Sequence, residues 1–287
     1  MYEIFTDVAV DINPEVAIKE NVKYVPMEYI IGEEVRHCDA PESMETMHRY
    51  YDDLRKKVNT QTSQITPFQY FETFEPYVKE HVGILYLALS SGLSNTFESA
   101  NAAVEMLKEQ YGEVEIEVID SLSATGGMGL LAESACTNRA QEMTVSENAD
   151  WIRNHIQDLN VKFMVDDLMY LKRGGRISPS TAIVGSALNI KPLLEINTVG
   201  KLETIAKKRG KKLAMKYLVD DFNETFDPSI SPVVYIDGAD CMADQETLKE
   251  MILENHPEAV VRLTSLSPII GAHTGPDMFS LIHYGMK

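Results

Sequence analysis

The sequence predicts an α/β protein made of two domains. Its 287 residues are enough for two hydrophobic cores of ordinary size. Short apolar runs such as Gly83–Leu89 alternate with stretches in which apolar residues recur at helical spacing. Because strands that alternate with helices form covered parallel sheets, we expect an N-terminal parallel sheet with helices on both faces. A C-terminal mixed sheet with helices is predicted to follow, and we place the boundary between residues 1–160 and 161–287.

The first domain is predicted to begin with two strands, Tyr2–Thr6 and Lys23–Ile31. Further along, Thr66 and Pro67 supply the N-cap and the first residue of a helix. The apolar face of that helix is predicted to consist of Phe68, Phe71, Phe74 and Val78, and that of the preceding helix of Met44, Met47, Tyr51, Leu54 and Val58. The remaining elements are the strand Gly83–Leu89, a helix from about Asn95, the strand Glu115–Ile119 and a helix from about Ala124.

The second domain begins with the most distinctive segment of the chain, residues 163–192. A strand at Phe163–Val165 leads to the corner Gly174-Gly175-Arg176, and Ser178-Pro179 is predicted to open a helix of small residues. Leu193–Ile196 and Leu202–Ile205 then flank a four-residue loop with a glycine, which is typical of a β-hairpin. The later elements are a helix with Leu213, Tyr217, Leu218 and Phe222 on one side, the strand Val233–Ile236, the helix Gln245–Asn255 and the strands Val260–Leu263 and Met278–His283.

The charge of the chain excludes two classes of partner. The formal net charge is −18 at pH 7. A polyanion is repelled by such a surface, so we expect no nucleic-acid binding. Docking to an anionic membrane is disfavoured for the same reason. A small ligand in an enclosed, locally positive site remains compatible with this charge.

The hydropathy and the cysteines indicate a cytoplasmic protein. No apolar run approaches the roughly 20 residues that span a bilayer, so no stable membrane insertion is expected. The N-terminus reads directly as a strand, without a signal peptide. The three cysteines, Cys38, Cys136 and Cys241, are odd in number and widely spaced, which fits free thiols in a reducing compartment.

Hydroxyl residues are concentrated where predicted strands lead into helices. The four clusters are Thr6-Asp7, Gln61–Gln64, Ser90–Thr96 and Asp120–Ser123. In a parallel sheet such loops meet at one edge, where ligands bind. Hydroxyls and free amides at helix N-termini suit an anion. Helix capping alone also explains serine and threonine at these positions, so both interpretations stay open.

Several catalytic and cofactor sites are not predicted. The sequence has no GxSxG nucleophile elbow, and the glycines of Ala124–Gly129 lack the Lys-Ser/Thr pair of a phosphate-binding loop. These glycines are better explained by close packing of a helix on a strand. The seven histidines show no spacing typical of metal ligands, so neither a metal nor a cofactor is expected.

Two charged or titratable residues in glycine-rich surroundings are candidates for a binding site. His273 lies in Ile270–Pro276, which we interpret as a loop with glycines on both sides of the imidazole. A surface histidine without function is the alternative. Arg176 either pairs with Asp166 or Asp167 as a structural contact or contributes charge to a site.

Six sequence blocks, spread over nearly the whole chain, carry a resemblance to a known family. The blocks are Phe5–Asp7, Thr62–Gln64, Ser90–Thr96, Val118–Ser121, Gly174–Ile177 with Asn189–Pro192, and Gly271–Pro276. In this order they resemble the DegV family of bacterial fatty-acid-binding proteins. Asn95 departs from the family pattern, which usually has glycine there, and Val8, Ile65 and Asp277 are further departures.

The resemblance implies two α/β domains that hold one long-chain fatty acid, such as palmitate, with its carboxylate between them. Thr62 and Ser94 are then expected to bind the carboxylate, assisted by Ser91 and Asn95, with His273 beside the head group. The supporting residues implied are Thr6, Asp7, Ser121 and Arg176. The family includes carriers without catalysis of their own, which present the acyl group to a separate fatty acid kinase that forms acyl phosphate.

Two other functions remain as alternatives. One is an enzyme that acts on an acyl or phosphorylated substrate with His273 as general acid or base. The other is a sensor that binds a small metabolite in the same cleft. The basic run Lys207–Lys212 is either a surface for a protein partner or the solvated start of a helix.

Overall fold

Strands and helices alternate through the first part of the chain. The computed structural model describes residues 1–42, 44–178 and 189–286. The elements up to residue 155 are β1 (Tyr2–Asp7), α1 (Pro14–Glu20), β2 (Lys23–Val25), β3 (Met27–Ile31), β4 (Glu34–Cys38), α2 (Met44–Arg55), β5 (Thr60–Thr62), α3 (Pro67–Lys79), β6 (Gly83–Ala88), α4 (Thr96–Tyr111), β7 (Ile116–Asp120), α5 (Thr125–Ala140) and α6 (Val145–His155).

The second part of the chain contributes a larger sheet and its covering helices. Its elements are β8 (Leu159–Met164), α7 (Met169–Arg173), β9 (Ile190–Ile196), β10 (Leu202–Arg209), α8 (Lys211–Thr225), β11 (Val233–Gly238), α9 (Met242–Leu253), β12 (Val260–Ser265), α10 (Pro268–Thr274) and β13 (Phe279–Tyr284). The predicted helix of small residues after Ser178-Pro179 falls largely on residues 179–188, which lie outside the described residues.

The two predicted sheets are confirmed. The first has the strand order β2-β1-β6-β7, and every neighbouring pair is parallel. All six residues of β6 are buried, as expected for a central strand covered on both faces. The second has the order β10-β9-β8-β13-β11-β12, in which β11 and β12 are parallel and the other pairs antiparallel. Since β8 begins at Leu159, a domain boundary near residue 160 remains our prediction.

A third, small sheet was not predicted. We expected one strand from Lys23 to Ile31, but the chain changes sheet at Pro26, which has no N–H to donate. The strand before it joins the parallel sheet, and β3 pairs instead with β4 and β5 in antiparallel fashion. We call residues 27–62 the N-terminal lobe; its β5 ends at Thr62, one of the predicted site residues.

In two helices the predicted apolar face is confirmed except for one residue in each, which is exposed. In α3 the buried side chains are Tyr70, Phe74 and Val78, which form a single row at four-residue spacing, and Phe68 is 59% exposed. In α8 the buried row runs through Leu218 and Phe222, and Leu213 is 51% exposed. Phe68 and Leu213 each lie in the first turn of the helix and are not on the face that carries the buried row.

No helix in the described ranges is long and apolar enough to cross a membrane.

Candidate functional site

A cavity of about 370 Å³ lies between the N-terminal lobe, the parallel sheet and the mixed sheet. Its apolar wall includes Met27 from β3, Val161 and Phe163 from β8, and Ile269 from α10. Its polar lining residues include Thr62, Ser63, Gln64, Ser91, Ser94, Asn95, Arg176 and His273. The volume falls within the range of roughly 300–1,000 Å³ that is typical of small-molecule sites. Residues from both halves of the chain therefore form one site.

Thr62 and His273 meet across the two halves of this site. The Thr62 hydroxyl oxygen lies 2.9 Å from Nε2 of His273. Our expectation that His273 lies in a loop was wrong, because it belongs to α10. Pro268 occupies the first turn of that helix, and the helix continues through Gly271 and ends only at Gly275, whose φ is 77°.

The imidazole of His273 is neutral at neutral pH. Burial, and secondly the charge of Arg176, lowers the pKa of His273 to about 4. Its Nδ1 is buried without a hydrogen-bond partner among the described residues. A buried N–H without an acceptor is less tolerable than a lone pair without a donor, so the proton belongs on Nε2. The Nε2–H group then donates to Thr62, and the Thr62 hydroxyl is left to donate into the cavity.

The glycine corner after α7 allows His273 to occupy this position. A Cβ atom on Gly174 would lie 2.1 Å from Nδ1 of His273, so any larger residue displaces the ring. Gly175 has a φ of 73°, and nothing lies within 4 Å of where its Cβ would be. The first glycine is therefore required for close approach, and the second for the turn.

The loop from Ser90 to Asn95 forms the opposite polar wall. The Ser94 hydroxyl accepts a hydrogen bond from the backbone N–H of Thr96 at 3.3 Å, and its own proton remains available to a ligand. Asn95 is the N-cap of α4 but makes no side-chain cap bond, and its side chain is exposed. The Ser91 N–H donates to Asp120, at 3.0 Å. The Ser94 hydroxyl can therefore accept the bond from Thr96 and still have a proton to donate.

Arg176 connects the glycine corner to this loop. Its Nε donates to the carbonyl of Leu93 at 3.1 Å, and its Nη1 donates to the carbonyl of Gly174. Of the two alternatives for Arg176, the pairing with Asp166 or Asp167 is not observed. Asp166 pairs with Lys191, and Asp167 accepts from the N–H of Met169 at the start of α7. Burial lowers the pKa of Arg176 but leaves the guanidinium protonated.

Three predicted supporting residues lie behind the cavity wall and not in it. Thr6, Asp7 and Ser121 are fully buried. The Asp7 carboxylate accepts hydrogen bonds from the N–H groups of Ala9 and Leu89, and burial raises its pKa to about 6. The Ser121 hydroxyl donates to the carbonyl of Ser123. These residues hold the loops at the sheet edge in place, without facing the cavity.

A pair of tyrosines that we did not predict as site residues positions α10. Tyr50 donates to the carbonyl of Pro268 and Tyr51 to that of Leu266, each at 3.0 Å. The Tyr51 ring packs on Gly271, where a Cβ would lie 2.5 Å from the phenolic oxygen. In the sequence we assigned only Tyr51 to the apolar face of α2, and nothing there indicates the hydroxyl contacts of either tyrosine.

Comparison with known proteins agrees with this fold. The family model described as "Uncharacterised protein, DegV family" matches residues 1–285. A DegV domain-containing protein of Clostridium perfringens is 35% identical over 285 residues, covering 99% of this chain and 97% of the relative.

Two solved structures have the same fold. A DegV family protein from Ruminococcus gnavus, refined with vaccenic acid, has a TM-score of 0.88 and 21% identity and covers 98% of this chain and 99% of its own. The B3 protein of the Streptococcus pneumoniae fatty acid kinase, loaded with linoleic acid, has a TM-score of 0.86 and 21% identity, with both chains fully covered. From the family match and the sequence relative, this chain belongs to the DegV family.

Proposed function

We propose that the protein binds one long-chain fatty acid in the cavity, with the carboxylate at the polar wall. The observation that carries the proposal is the combination of a cavity with an apolar wall and hydroxyl donors from Thr62 and Ser94. Ser91 and Asn95 assist them, and Arg176 supplies positive charge. The bound fatty acids of the Ruminococcus and Streptococcus proteins support the same assignment.

The acyl tail supplies most of the affinity. Burying about fifteen methylenes at ~0.8 kcal/mol each contributes roughly 12 kcal/mol before the cost of ordering the ligand is subtracted. A hydrogen bond to the carboxylate adds about 1.5–3 kcal/mol. The tail therefore determines how tightly the lipid is held, and the polar wall determines which end of the lipid lies there.

We further propose that the protein is a carrier that presents its lipid to a separate fatty acid kinase. The Streptococcus protein is named as part of such a kinase. Retention of the lipid requires no cofactor. The three cysteines of the chain are buried and free, in keeping with a cytoplasmic carrier.

Catalysis by Thr62 and His273 is the alternative, because the hydroxyl and imidazole are in hydrogen-bond contact. Two observations argue against it. A pKa of about 4 makes His273 a weak base at neutral pH. Its Nδ1 has no carboxylate or carbonyl partner among the described residues to orient the ring, which the triad arrangement requires.

Mass spectrometry of the denatured, extracted protein tests lipid binding directly. We expect a long-chain fatty acid to be recovered, or to be retained after incubation with hexadecanoic acid. Ser94→Ala is expected to weaken retention, and Ser146→Ala, an exposed serine of α6, serves as the matched control. Failure of the wild-type protein to retain any fatty acid contradicts the proposal. Hydrolysis of an acyl ester or acyl phosphate by the protein alone, lost in His273→Ala, supports the enzyme instead.

A further inference from the structure

The N-terminal lobe, residues 27–62, belongs to the first half of the chain but packs on the second half. Its elements β3, β5 and α2 all contact α10. The chain enters the lobe after Pro26 and leaves it at Thr62. These two connections lie side by side, because β5 pairs with β3 and the N–H of Ser63 donates to the carbonyl of Glu28 at 3.0 Å. Two adjacent connections form a hinge, so the contacts with the second half determine how firmly the lobe is closed.

Charged side chains join α2 of the lobe to two loops of the second half. Nη1 of Arg55 donates to Oδ2 of Asp240 at 2.6 Å, and its Nη2 donates to Oδ1 of Asp277 at 3.3 Å. Nδ1 of His48 lies 2.9 Å from Oδ1 of Asp240. The N–H of Asp277 donates to the carbonyl of Ala239 at 2.8 Å, which holds the two loops together. We call His48, Arg55, Asp240 and Asp277 the α2 charge cluster.

Both aspartates of this cluster have a backbone conformation that favours glycine. The φ angle is 57° at Asp240 and 63° at Asp277. Aspartate tolerates this region better than most residues, but at some cost in free energy. Strained residues of this kind are often found at functional sites. The side chains of both aspartates and of Arg55 are also partly exposed, so their ion pairs can break and form again without the large desolvation cost of buried ones.

A metal site is the other interpretation of this cluster. His48, Asp52 and Asp240 offer ligand atoms that lie within 4.8 Å of one another. However, Nη1 of Arg55 contacts Asp52 at 3.2 Å as well as Asp240. A guanidinium in contact with both carboxylates neutralises them and repels a second cation. The cluster is therefore better explained as a set of ion pairs between the lobe and the second half.

We propose that the α2 charge cluster is a latch that keeps the N-terminal lobe closed over the cavity, and that its release sets the rate of lipid exchange. Met27 and Thr62 of the lobe line the cavity, so rotation of the lobe opens that wall. Opening exposes the buried rings of Tyr50 and Tyr51, so the open form is a minor one. Because the ion pairs exist only in the closed form, removing them increases the open population. The role in lipid exchange rests on the proposed function, whereas closure of the lobe does not.

His48 makes the latch dependent on pH. The hydrogen bond and the charge of Asp240, and then the charge of Asp52, raise the pKa of His48 above its usual value of 6.5. The third charged group that faces it is Arg55, which acts in the opposite direction. A raised pKa means that the contribution of protonated His48 is complete below pH 6.5 and is lost as the pH rises through the pKa of the folded protein. We therefore expect the lobe to be closed more firmly at pH 6 than at pH 8.5.

Deuterium exchange of the lipid-free protein and release of hexadecanoic acid from the loaded protein test the latch. In Arg55→Gln we expect faster deuterium uptake in residues 27–62 and roughly threefold to tenfold faster lipid release, because two partly exposed ion pairs to the second half are lost. Asp277→Asn removes one pair without new strain, since asparagine tolerates the same backbone conformation, and is expected to have a smaller effect. Arg49→Gln is the matched control, because Arg49 lies on the same helix and pairs with Glu45 within it.

The same measurements show which part of the inference fails. His48→Asn is expected to abolish the difference in lobe opening between pH 6 and pH 8.5. Lobe uptake in Arg55→Gln that equals the wild type, or uptake that rises equally over the whole chain, overturns the latch. Faster lobe uptake with unchanged lipid release overturns its role in exchange. Wild-type protein that retains no hexadecanoic acid contradicts the proposed function, and with it the role in exchange, whereas deuterium uptake still decides whether the cluster closes the lobe.

Discussion

Replacing Gly174 with alanine tests whether the position of His273 controls the head-group site. The added methyl carbon would lie 2.1 Å from Nδ1 and 3.0 Å from Cε1 of His273, which is much closer than carbon and nitrogen atoms can pack. Either the ring or the glycine corner has to move. The contact between Nε2 of His273 and the Thr62 hydroxyl, now 2.9 Å, is lost or lengthened.

The structure gives an expected size for this effect. Overpacking a tight contact typically destabilises a protein by about 1–3 kcal/mol. If Thr62 no longer donates to the carboxylate, ligand binding loses about 1.5–3 kcal/mol, which corresponds to a fall in affinity of roughly tenfold to a hundredfold. The tail contacts are unchanged, so a ligand without a carboxylate is expected to lose much less.

Competition binding with hexadecanoic acid and hexadecanol, together with thermal unfolding, provides the assay. Gly175→Ala is the matched control. Its φ of 73° strains an alanine, so the variant loses about 1–2 kcal/mol of stability, but nothing lies within 4 Å of the new methyl group. We expect Gly174→Ala, but not Gly175→Ala, to weaken the binding of hexadecanoic acid more than that of hexadecanol. If both variants weaken both ligands equally, the glycine does not act through His273 and the reasoning is refuted.

Four further predictions concern hydrogen bonding and pH. Tyr51→Phe removes the hydroxyl that donates to Leu266 at 3.0 Å, and we expect urea titration to show a loss of about 1–2 kcal/mol together with weaker fatty-acid binding; wild-type behaviour in both excludes Tyr51 as a positioning residue. Because the pKa of His273 falls to about 4 on folding, its contribution to the free energy of unfolding is complete above pH 6.5 and decreases by about 3 kcal/mol as the pH falls to 4. The NMR signals of its ring should therefore not titrate near pH 6. Because the pKa of Asp7 rises to about 6 on folding, the stability that its protonated form contributes is complete below about pH 4 and is lost as the pH rises through 6. A carboxyl ¹³C shift of Asp7 that titrates near pH 4 contradicts this prediction. Between pH 4 and 6 the contribution of His273 to stability rises with pH, whereas that of Asp7 falls. Because His273→Asn removes the rising contribution, its free energy of unfolding is expected to fall more steeply than that of the wild type as the pH increases from 4 to 6.

The sheets could be predicted from the sequence because hydrophobic periodicity reports burial directly. The run at β6 is apolar throughout and is buried throughout. The break at Pro26 was also visible, yet one apolar strand can continue past a proline or change sheet there, and local sequence does not decide between the two. The side from which α3 is covered likewise depends on its neighbours, and this is why Phe68 was assigned to the wrong face.

The polar site was harder to derive. Thr62, Ser94 and His273 line one cavity, and Thr62 contacts His273. The expectation that they act together came from the motif resemblance more than from the residue types. A serine or aspartate at the end of a strand has the same sequence context whether it faces a cavity or, like Asp7, is buried behind it. Local sequence also does not show which partner a long side chain contacts. Arg176 does not pair with the aspartates near it in the sequence and donates instead to a carbonyl 83 positions away in the chain.

The location of Thr62 and His273 on different halves of the chain has a thermodynamic consequence. Neither half contains the complete head-group site that we propose, since one supplies the hydroxyl and the other the imidazole in contact with it. A ligand that binds only the assembled form stabilises that form by RT ln(1 + [L]/Kd), about 2.7 kcal/mol at a hundredfold excess over Kd. The stabilisation acts on the association of the halves and not on either alone. We therefore expect the lipid-loaded protein to unfold in one cooperative transition. Loss of the lipid is expected to weaken first the contacts between the two halves of the chain at the proposed site.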